Sequence, residues 1–162
     1  MKTPVVTTQA PAAIGPYSQG ISTGELVFVS GQLPIDPATG AMPEDVAAQA
    51  KQSLANVKAV LEAAGSSMEL VVKTTIFLAD IADFAAVNEV YAAAFPQPCP
   101  ARSCFAVAAP AQERQDRDRG HRRHEVTPYL TSYIPFLSRP LQGGKVLALL
   151  AAALALQGLR GM

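Results

Sequence analysis

The sequence has 162 residues, of which 49% are hydrophobic and 16% are charged, a balance typical of a globular protein with a single core. Thirteen basic side chains balance thirteen acidic ones, and the resulting net charge of zero excludes a general electrostatic attraction to nucleic acid or anionic membranes. Cys99 and Cys104 are too few for a disulfide framework. The N-terminal stretch lacks the apolar core of a signal peptide, and the apolar run at 146–156 is shorter than the roughly 20 residues that span a bilayer. We therefore expect a cytoplasmic protein with reduced thiols.

The first thirty residues predict short strands. Val5 and Val6 fit a first strand, and a turn follows at Gly15 and Pro16. Residues 17–23 and 25–29 predict two strands joined tightly at Thr23 and Gly24. Because residues 26–29, LVFV, are apolar without interruption, we expect this strand to be buried on both faces.

Two helices and two more strands follow. The first helix is predicted to begin near Pro43 and to end at Gly65. Its apolar stripe consists of Val46, Ala50, Leu54, Val57 and Leu61. Residues 71–78 predict a strand, 84–95 a second helix that ends before three prolines, and 102–107 a last strand. This order favours an α+β domain with helices on one face of a sheet.

The character of the chain changes after residue 109. Residues 112–125, QERQDRDRGHRRHE, contain no apolar side chain. The next residues, TPYLTSYIPFLSRP, include apolar side chains without a clear period, and alanine and leucine then favour a helix at 145–157. We expect the segment 110–162 to be partly disordered.

Three motifs occur in order at 15–20 (GPYSQG), 28–40 (FVSGQLPIDPATG) and 100–107 (PARSCFAV), with AKQSLANVKAVLEAAGSS between the last two. Together they resemble the Rid family of reactive-intermediate deaminases over residues 2–109. The resemblance implies a chorismate-mutase-like α+β domain that assembles as a homotrimer. It also implies active sites in clefts between adjacent subunits.

The resemblance implies a C-terminal strand similar to LPKNAKIEIEAIAVMR, which is missing here. One choice of codons for PAQERQDRDRGHRRHEV, read without its first base, spells that segment followed by a stop codon. We therefore hypothesise one inserted base near Ala109, through mutation or sequencing error, and out-of-frame translation over residues 110–162. Sequencing the gene across this position tests the hypothesis.

The activity that the resemblance implies is hydrolysis of 2-imino acids and their enamine tautomers to 2-oxo acids and ammonia, without a cofactor or metal. Such substrates are released by pyridoxal-phosphate enzymes such as threonine dehydratase. Because the imine carbon is already electrophilic, positioning and charge recognition can supply much of the acceleration. Arg102 matches the family arginine that grips the substrate carboxylate through two parallel hydrogen bonds. Residue type alone favours a surface or trimer-interface ion pair for Arg102, and the PARSC context reverses that preference.

Four other positions match the family site. Cys104 matches a residue whose backbone carbonyl orients water, although it would also fit a small buried hydrophobe. Tyr17 matches a tyrosine that contacts the substrate from the neighbouring subunit, and ordinary packing is its alternative. Gly31 would let the backbone approach the ligand closely, although it would also fit a plain strand end. Asn88 matches a polar residue near the cleft, although on a helix it could merely face solvent.

The family glutamate that holds the catalytic water lies in the missing strand, within IEIEAIAV. We therefore expect impaired activity of the chain as it stands. Burial of each of the three isoleucines is worth about 1.5 to 3 kcal/mol, against a typical total stability of about 5 to 15 kcal/mol. We accordingly predict poor folding or aggregation, which a sharp two-state melt at trimeric mass would contradict.

Other functions have weaker support. Five arginines at 114–123 could form an RNA-binding arm, but acidic residues dilute their charge and no aromatic side chain lies among them. His121, His124 and Glu125 resemble a metal site only weakly. The alanine- and leucine-rich segment lacks the polar face of a membrane-surface helix.

Some members of the broad family are described as ribonucleases or translation inhibitors, and others as ligand-binding or chaperone-like proteins. A non-catalytic binding module is therefore the alternative to a deaminase.

Overall fold

Six strands form one mixed sheet in a computed structural model that describes residues 1–107 and the backbone of residues 129–135. The strands are β1 (Thr3–Val5), β2 (Gly20–Ser22), β3 (Leu26–Gln32), β4 (Lys73–Leu78), β5 (Ala101–Ala106) and β6 (Tyr129–Pro135). Their order across the sheet is β1-β2-β3-β6-β4-β5. The pairing of β4 with β5 is parallel, and the other pairings are antiparallel.

The two helices are α1 (Val46–Ala63) and α2 (Phe84–Ala94). Helix α1 begins at Val46 rather than near Pro43, because extended Asp45 caps it: an Asp45 carboxylate oxygen accepts a 2.8 Å hydrogen bond from the amide of Ala48. Gly65 follows the helix in a left-handed conformation, with φ of 75°, and ends it as predicted. Helix α2 lies between β4 and β5 in the chain.

The core lies between the helices and one face of the sheet. From α1 it receives Ala50, Leu54, Val57 and Leu61, which confirms the apolar stripe predicted for that helix, and from α2 it receives Val87 and Tyr91. Strands β3 and β4 alternate between buried and half-buried residues. The prediction that residues 26–29 are buried on both faces is therefore wrong for the single chain, since Leu26 and Phe28 are half-buried on the face without helices. We call this second surface the open face of the sheet.

The strands are shorter or shifted relative to the predictions. The strand expected at 17–23 is shorter in the structure, Gly20–Ser22, and follows a tight turn in which the amide of Tyr17 donates to the carbonyl of Gly15. Val6, which was expected in the first strand, lies beyond β1 and is exposed. The other predicted elements agree with the structure to within a few residues. The fold is α+β with its helices on one face, as predicted.

The sequence analysis predicted no strand at 129–135, yet β6 lies between β3 and β4 and pairs with both. The last strand of the described chain therefore occupies an inner position in the sheet. The helix predicted at 145–157 lies outside the described residues. Within the described residues, no helix combines the length and the apolar character needed to cross a membrane.

Candidate functional site

Arg102 lies on β5, at the edge of the sheet, with its side chain half-buried against α2. Its Nη1 donates a hydrogen bond of 2.8 Å to Oδ1 of Asn88. The guanidinium carbon lies 4.7 Å from the centre of the Tyr91 ring and 5.4 Å from that of Phe84, both within cation–π range. The structure therefore brings Arg102 and Asn88 together, as the sequence analysis required of two residues in one site.

The partners of Arg102 come from one face of α2. Phe84, Asn88 and Tyr91 are spaced by four and three residues, and this spacing places side chains on the same side of a helix. Phe84 is 39% exposed, whereas Tyr91 is buried. The guanidinium thus lies where the buried core meets the surface.

The charge of Arg102 has no counter-ion among the described residues. The ion pair found in this part of the chain joins Lys58 to Glu62 on α1. A guanidinium has five N–H donors, and within this part of the chain only Asn88 accepts a hydrogen bond from it. Its remaining donors suit a planar anion with two acceptor oxygens, such as a carboxylate.

Tyr91 is fixed from behind. Its hydroxyl shares a hydrogen bond of 2.7 Å with Oγ1 of Thr74, which is fully buried on β4 and is the register partner of Arg102. The ring also packs on Phe95, with 4.5 Å between the ring centres. Burial raises the pKa of Tyr91, an effect that the Thr74 hydrogen bond and the charge of Arg102 only partly oppose. The phenol therefore stays neutral at physiological pH.

Cys104 lies two residues after Arg102 on β5 and packs against the core. Burial raises the pKa of its thiol above the ordinary value of 9.0, although the nearby charge of Arg102 opposes the shift. A thiol with a raised pKa carries little thiolate at neutral pH and is a poor nucleophile. This chemistry agrees with the expectation that any role of Cys104 lies in its backbone.

Tyr17 and Gly31 are placed apart from this group. Tyr17 is 52% exposed, and its hydroxyl accepts a hydrogen bond of 3.3 Å from the amide of Ile14. Gly31 is exposed near the end of β3, where the pairing with β6 shifts register between Val29 and Gln32. Among the described residues, no hydrogen bond or ring contact joins either of them to Arg102.

The sequence analysis missed several residues that lie around Arg102 and around Tyr17. Phe84 and Tyr91 contact Arg102, and Thr74 holds Tyr91. The helical spacing of Phe84 and Tyr91 about Asn88 was a signal that could have found these two. Buried Gln19 orders the loop around Tyr17. Its amide group donates to the carbonyls of Thr7, Ala10 and Pro11 and accepts from the amide of Thr7.

The part of the chain that the structure describes contains no group of three potential metal ligands. His121, His124 and Glu125 lie outside it, as do the arginines at 114–123. The residues on which the metal-site and RNA-binding alternatives depend therefore lie outside the described part of the chain.

Comparison with known proteins gives consistent matches. A profile of the family described as Endoribonuclease L-PSP matches residues 7–114. A 2-iminobutanoate/2-iminopropanoate deaminase from Salmonella typhimurium is 55% identical over 111 residues, covering 67% of this chain and 87% of the relative. The protein of the same name from Escherichia coli K12 is 53% identical over the same shares.

Solved structures agree with the sequence matches. RidA from the Antarctic bacterium Psychrobacter sp. PAMC 21119 superposes with a TM-score of 0.73 at 38% identity, covering 83% of this chain and 99% of that protein. Escherichia coli TdcF with bound serine gives a TM-score of 0.72 at 38% identity over the same shares. The profile match spans most of the chain and its deaminase relatives are more than half identical, so the chain belongs to the Endoribonuclease L-PSP family, the Rid family that its motifs resemble.

Proposed function

We propose that this protein hydrolyses small 2-imino acids and their enamine tautomers to 2-oxo acids and ammonia. The observation that carries the proposal is the half-buried guanidinium of Arg102, which Asn88 and two aromatic rings hold and which has no counter-ion among the described residues. A substrate carboxylate would supply the missing charge. The relatives named as iminobutanoate deaminases, and the solved relative that binds serine, support a ligand with this group.

The proposed reaction needs little covalent help from the protein. Arg102 binds the carboxylate and holds the adjoining C=N carbon within reach of a water molecule. Water adds to this carbon and passes one proton to nitrogen, which gives a carbinolamine. The hydroxyl proton of the carbinolamine then passes to the same nitrogen as the C–N bond breaks, so that ammonia leaves and a C=O group remains. The backbone carbonyl of Cys104 orients the water, while its thiol remains protonated. Fixed geometry of this kind can account for much of a rate enhancement.

The active assembly in this proposal is a homotrimer, in which Tyr17 and Gly31 approach the Arg102 of a neighbouring subunit. The exposed apolar side chain of Ile14 near Tyr17 supports this arrangement, because Ile14 is 78% exposed in the single chain and a neighbouring subunit would cover it. The open face of the sheet supports it as well. Phe105 is 53% exposed there and stacks on Phe77, with 6.2 Å between the ring centres. We place this assembly in the cytoplasm.

The C-terminal segment limits the proposed activity. The family profile ends at residue 114, close to the position of the proposed inserted base. Strand β6, YLTSYIP, contains no Asp or Glu that could hold the catalytic water as the family glutamate does. We therefore propose that residues 110–162 are translated out of frame. On this proposal, those molecules of the 162-residue chain that fold bind carboxylates but turn over imines slowly.

The test couples threonine dehydratase to the purified protein and measures the release of 2-oxobutanoate. Two proteins are compared, the 162-residue chain and a version that continues after Ala109 with LPKNAKIEIEAIAVMR. We expect the second protein to accelerate release strongly and Arg102→Ala to abolish the acceleration. If neither protein accelerates release although both are folded, the deaminase proposal is wrong.

A binding module without catalysis is the second candidate, and the lack of a carboxylate in β6 favours it for the 162-residue chain. It predicts that 2-oxobutanoate binds, that Arg102→Ala prevents binding, and that no imine is turned over. The family description also suggests ribonuclease activity. Incubation with a labelled single-stranded RNA, with Arg102→Ala as the control, tests that activity separately.

A further inference from the structure

Arg102 belongs to an edge strand, because among the described strands β5 pairs with β4 alone. A long side chain at such an edge has many rotamers, and ordering it for a ligand costs conformational entropy. The contacts around Arg102 reduce this cost before any ligand arrives. Asn88 fixes one edge of the guanidinium at 2.8 Å, and the ring of Tyr91 covers one of its faces at 4.7 Å.

The ring of Tyr91 can orient Arg102 only if the ring itself cannot move. Two contacts hold it, the ring of Phe95 at 4.5 Å and the buried hydroxyl of Thr74 at 2.7 Å. Thr74 is the register partner of Arg102 on the adjacent strand. Arg102 is therefore linked to β4 in two ways. The backbone of β5 pairs with β4, and the Arg102 side chain contacts Tyr91, which bonds to Thr74 of β4.

We propose that Thr74 and Tyr91 are positioning residues that fix the plane of the Arg102 guanidinium for capture of the substrate carboxylate. The inference rests on the proposed function, because it assigns these two residues a role through Arg102. Neither needs to touch the substrate, since Thr74 is fully buried and Tyr91 is 4% exposed.

The test compares four forms of the full-length protein: wild type, Thr74→Ser, T74V/Y91F, and T74V/Y91F combined with Arg102→Ala. The double variant removes both hydroxyls and keeps both side-chain volumes, so neither is left as an unpaired buried group. Thr74→Ser keeps the hydroxyl and is the matched control. If the double variant melts well below the wild type, Tyr91→Phe alone replaces it, although this variant leaves the buried Thr74 hydroxyl without its partner.

The first measurement is the Kd for 2-oxobutanoate by calorimetry. We expect T74V/Y91F to raise Kd about five-fold to ten-fold at an unchanged melting temperature, and Thr74→Ser to behave as wild type. Arg102 binds carboxylate in the ground state and the transition state alike, so the substitutions should raise KM and leave kcat nearly unchanged. General loss of folded protein would instead lower kcat at constant KM. In the Arg102→Ala background, the double substitution should have no effect.

The second measurement is the ¹⁵Nε–H signal of Arg102 by NMR, which reports the rigidity of the guanidinium without any ligand. The proposal expects a rigid signal in the wild type and a mobile one in T74V/Y91F. Unchanged Kd and an unchanged signal in T74V/Y91F, while Arg102→Ala abolishes binding, would overturn the positioning role and leave the proposed function standing. If the wild type binds no 2-oxobutanoate, the proposed function fails, and the NMR signal alone then decides whether Thr74 and Tyr91 fix the guanidinium.

Discussion

Replacement of Asn88 by aspartate should stabilise the protein and weaken its substrate binding at the same time. The side chains have nearly the same shape, and Oδ1 of Asn88 already lies 2.8 Å from Nη1 of Arg102. The substitution therefore places a permanent carboxylate beside a guanidinium that has no counter-ion among the described residues. A half-exposed ion pair of this kind is worth about 0.5 to 1 kcal/mol of stability.

The effect on the substrate follows from Coulomb's law. Two carboxylates on adjacent edges of one guanidinium lie roughly 5 Å apart, and at an effective dielectric constant of about 20 they repel by about 3 kcal/mol. Half that value, about 1.5 kcal/mol, applies to a site more open to water. Asn88→Asp should thus raise KM for 2-iminobutanoate by about 10-fold to 150-fold.

The assay is the coupled release of 2-oxobutanoate, performed on the version that ends in LPKNAKIEIEAIAVMR, together with thermal unfolding of the same samples. Asn88→Ala is the control, because it removes the acceptor without adding charge and should raise KM much less. Added salt should reduce the effect of Asn88→Asp, since screening weakens the repulsion. An unchanged KM in a more stable Asn88→Asp protein would refute the assignment of Arg102 to carboxylate binding.

Four further substitutions test the fold and the site. Gly20→Ala should cost about 1 to 3 kcal/mol in chemical unfolding, because the new Cβ would lie 3.2 Å from the backbone oxygen of Phe28, which cannot move aside. Asn56→Leu should cost about 3 kcal/mol in the same measurement, since two backbone carbonyls at 2.8 and 2.9 Å lose their donor. Ser66→Ala should instead stabilise the protein by about 1 kcal/mol, because the Ser66 hydroxyl is buried without a hydrogen-bond partner among the described residues. Cys104→Ser should leave turnover within about two-fold and reduce the loss of stability above pH 9.0. The raised pKa of the Cys104 thiol means that the folded state holds this proton more tightly, so its contribution is complete below pH 9.0 and disappears as the pH rises through the folded-state pKa. Each prediction is wrong if the measured change has the opposite sign, or if Cys104→Ser abolishes turnover.

The helices and the buried strands could be predicted from the sequence because their signals are local. The apolar stripe of α1 and the glycine that ends the helix lie within one segment, and both agree with the structure. The first residue of α1 was predicted less well, because the capping hydrogen bond of Asp45 decides it and Pro43 was the more conspicuous residue. Local patterns thus identify an element better than its boundary.

Exposure of the sheet could not be predicted in the same way. The apolar run LVFV suggested burial on both faces, but helices cover only one face of the described chain. The half-buried Leu26 and Phe28 lie on the open face, which the proposed trimer would cover. The sequence pattern therefore fits an assembly better than it fits a single subunit.

The site was predicted in part. The family resemblance pointed to Arg102 and Asn88, which the structure joins by a hydrogen bond. The motifs did not point to Thr74 or Tyr91, because their contact depends on the pairing of β4 with β5 and on the packing of α2 across both strands. Tyr17 remains a predicted site residue, since its role requires a second subunit.

Strand β6 was not predicted because the apolar side chains of TPYLTSYIPFLSRP follow no clear period. Residues 129–135 include two tyrosines, a threonine and an isoleucine, which are residue types that favour strands, and their backbone pairs with both β3 and β4. The prediction of poor folding stays open to test. A sharp two-state melt and a trimeric mass for the 162-residue chain would contradict it.

The most direct test of the account measures kcat/KM for 2-iminobutanoate with Arg102 replaced by alanine in the version that ends in LPKNAKIEIEAIAVMR. Two charge-assisted hydrogen bonds to one carboxylate together contribute about 3 kcal/mol or more, so kcat/KM should fall by at least about 100-fold in a protein that remains folded. Arg102→Lys keeps the charge but loses the planar fork, so its kcat/KM should lie between those of the wild type and of Arg102→Ala. Turnover at the wild-type rate by the alanine variant would contradict the claim that this guanidinium captures the substrate.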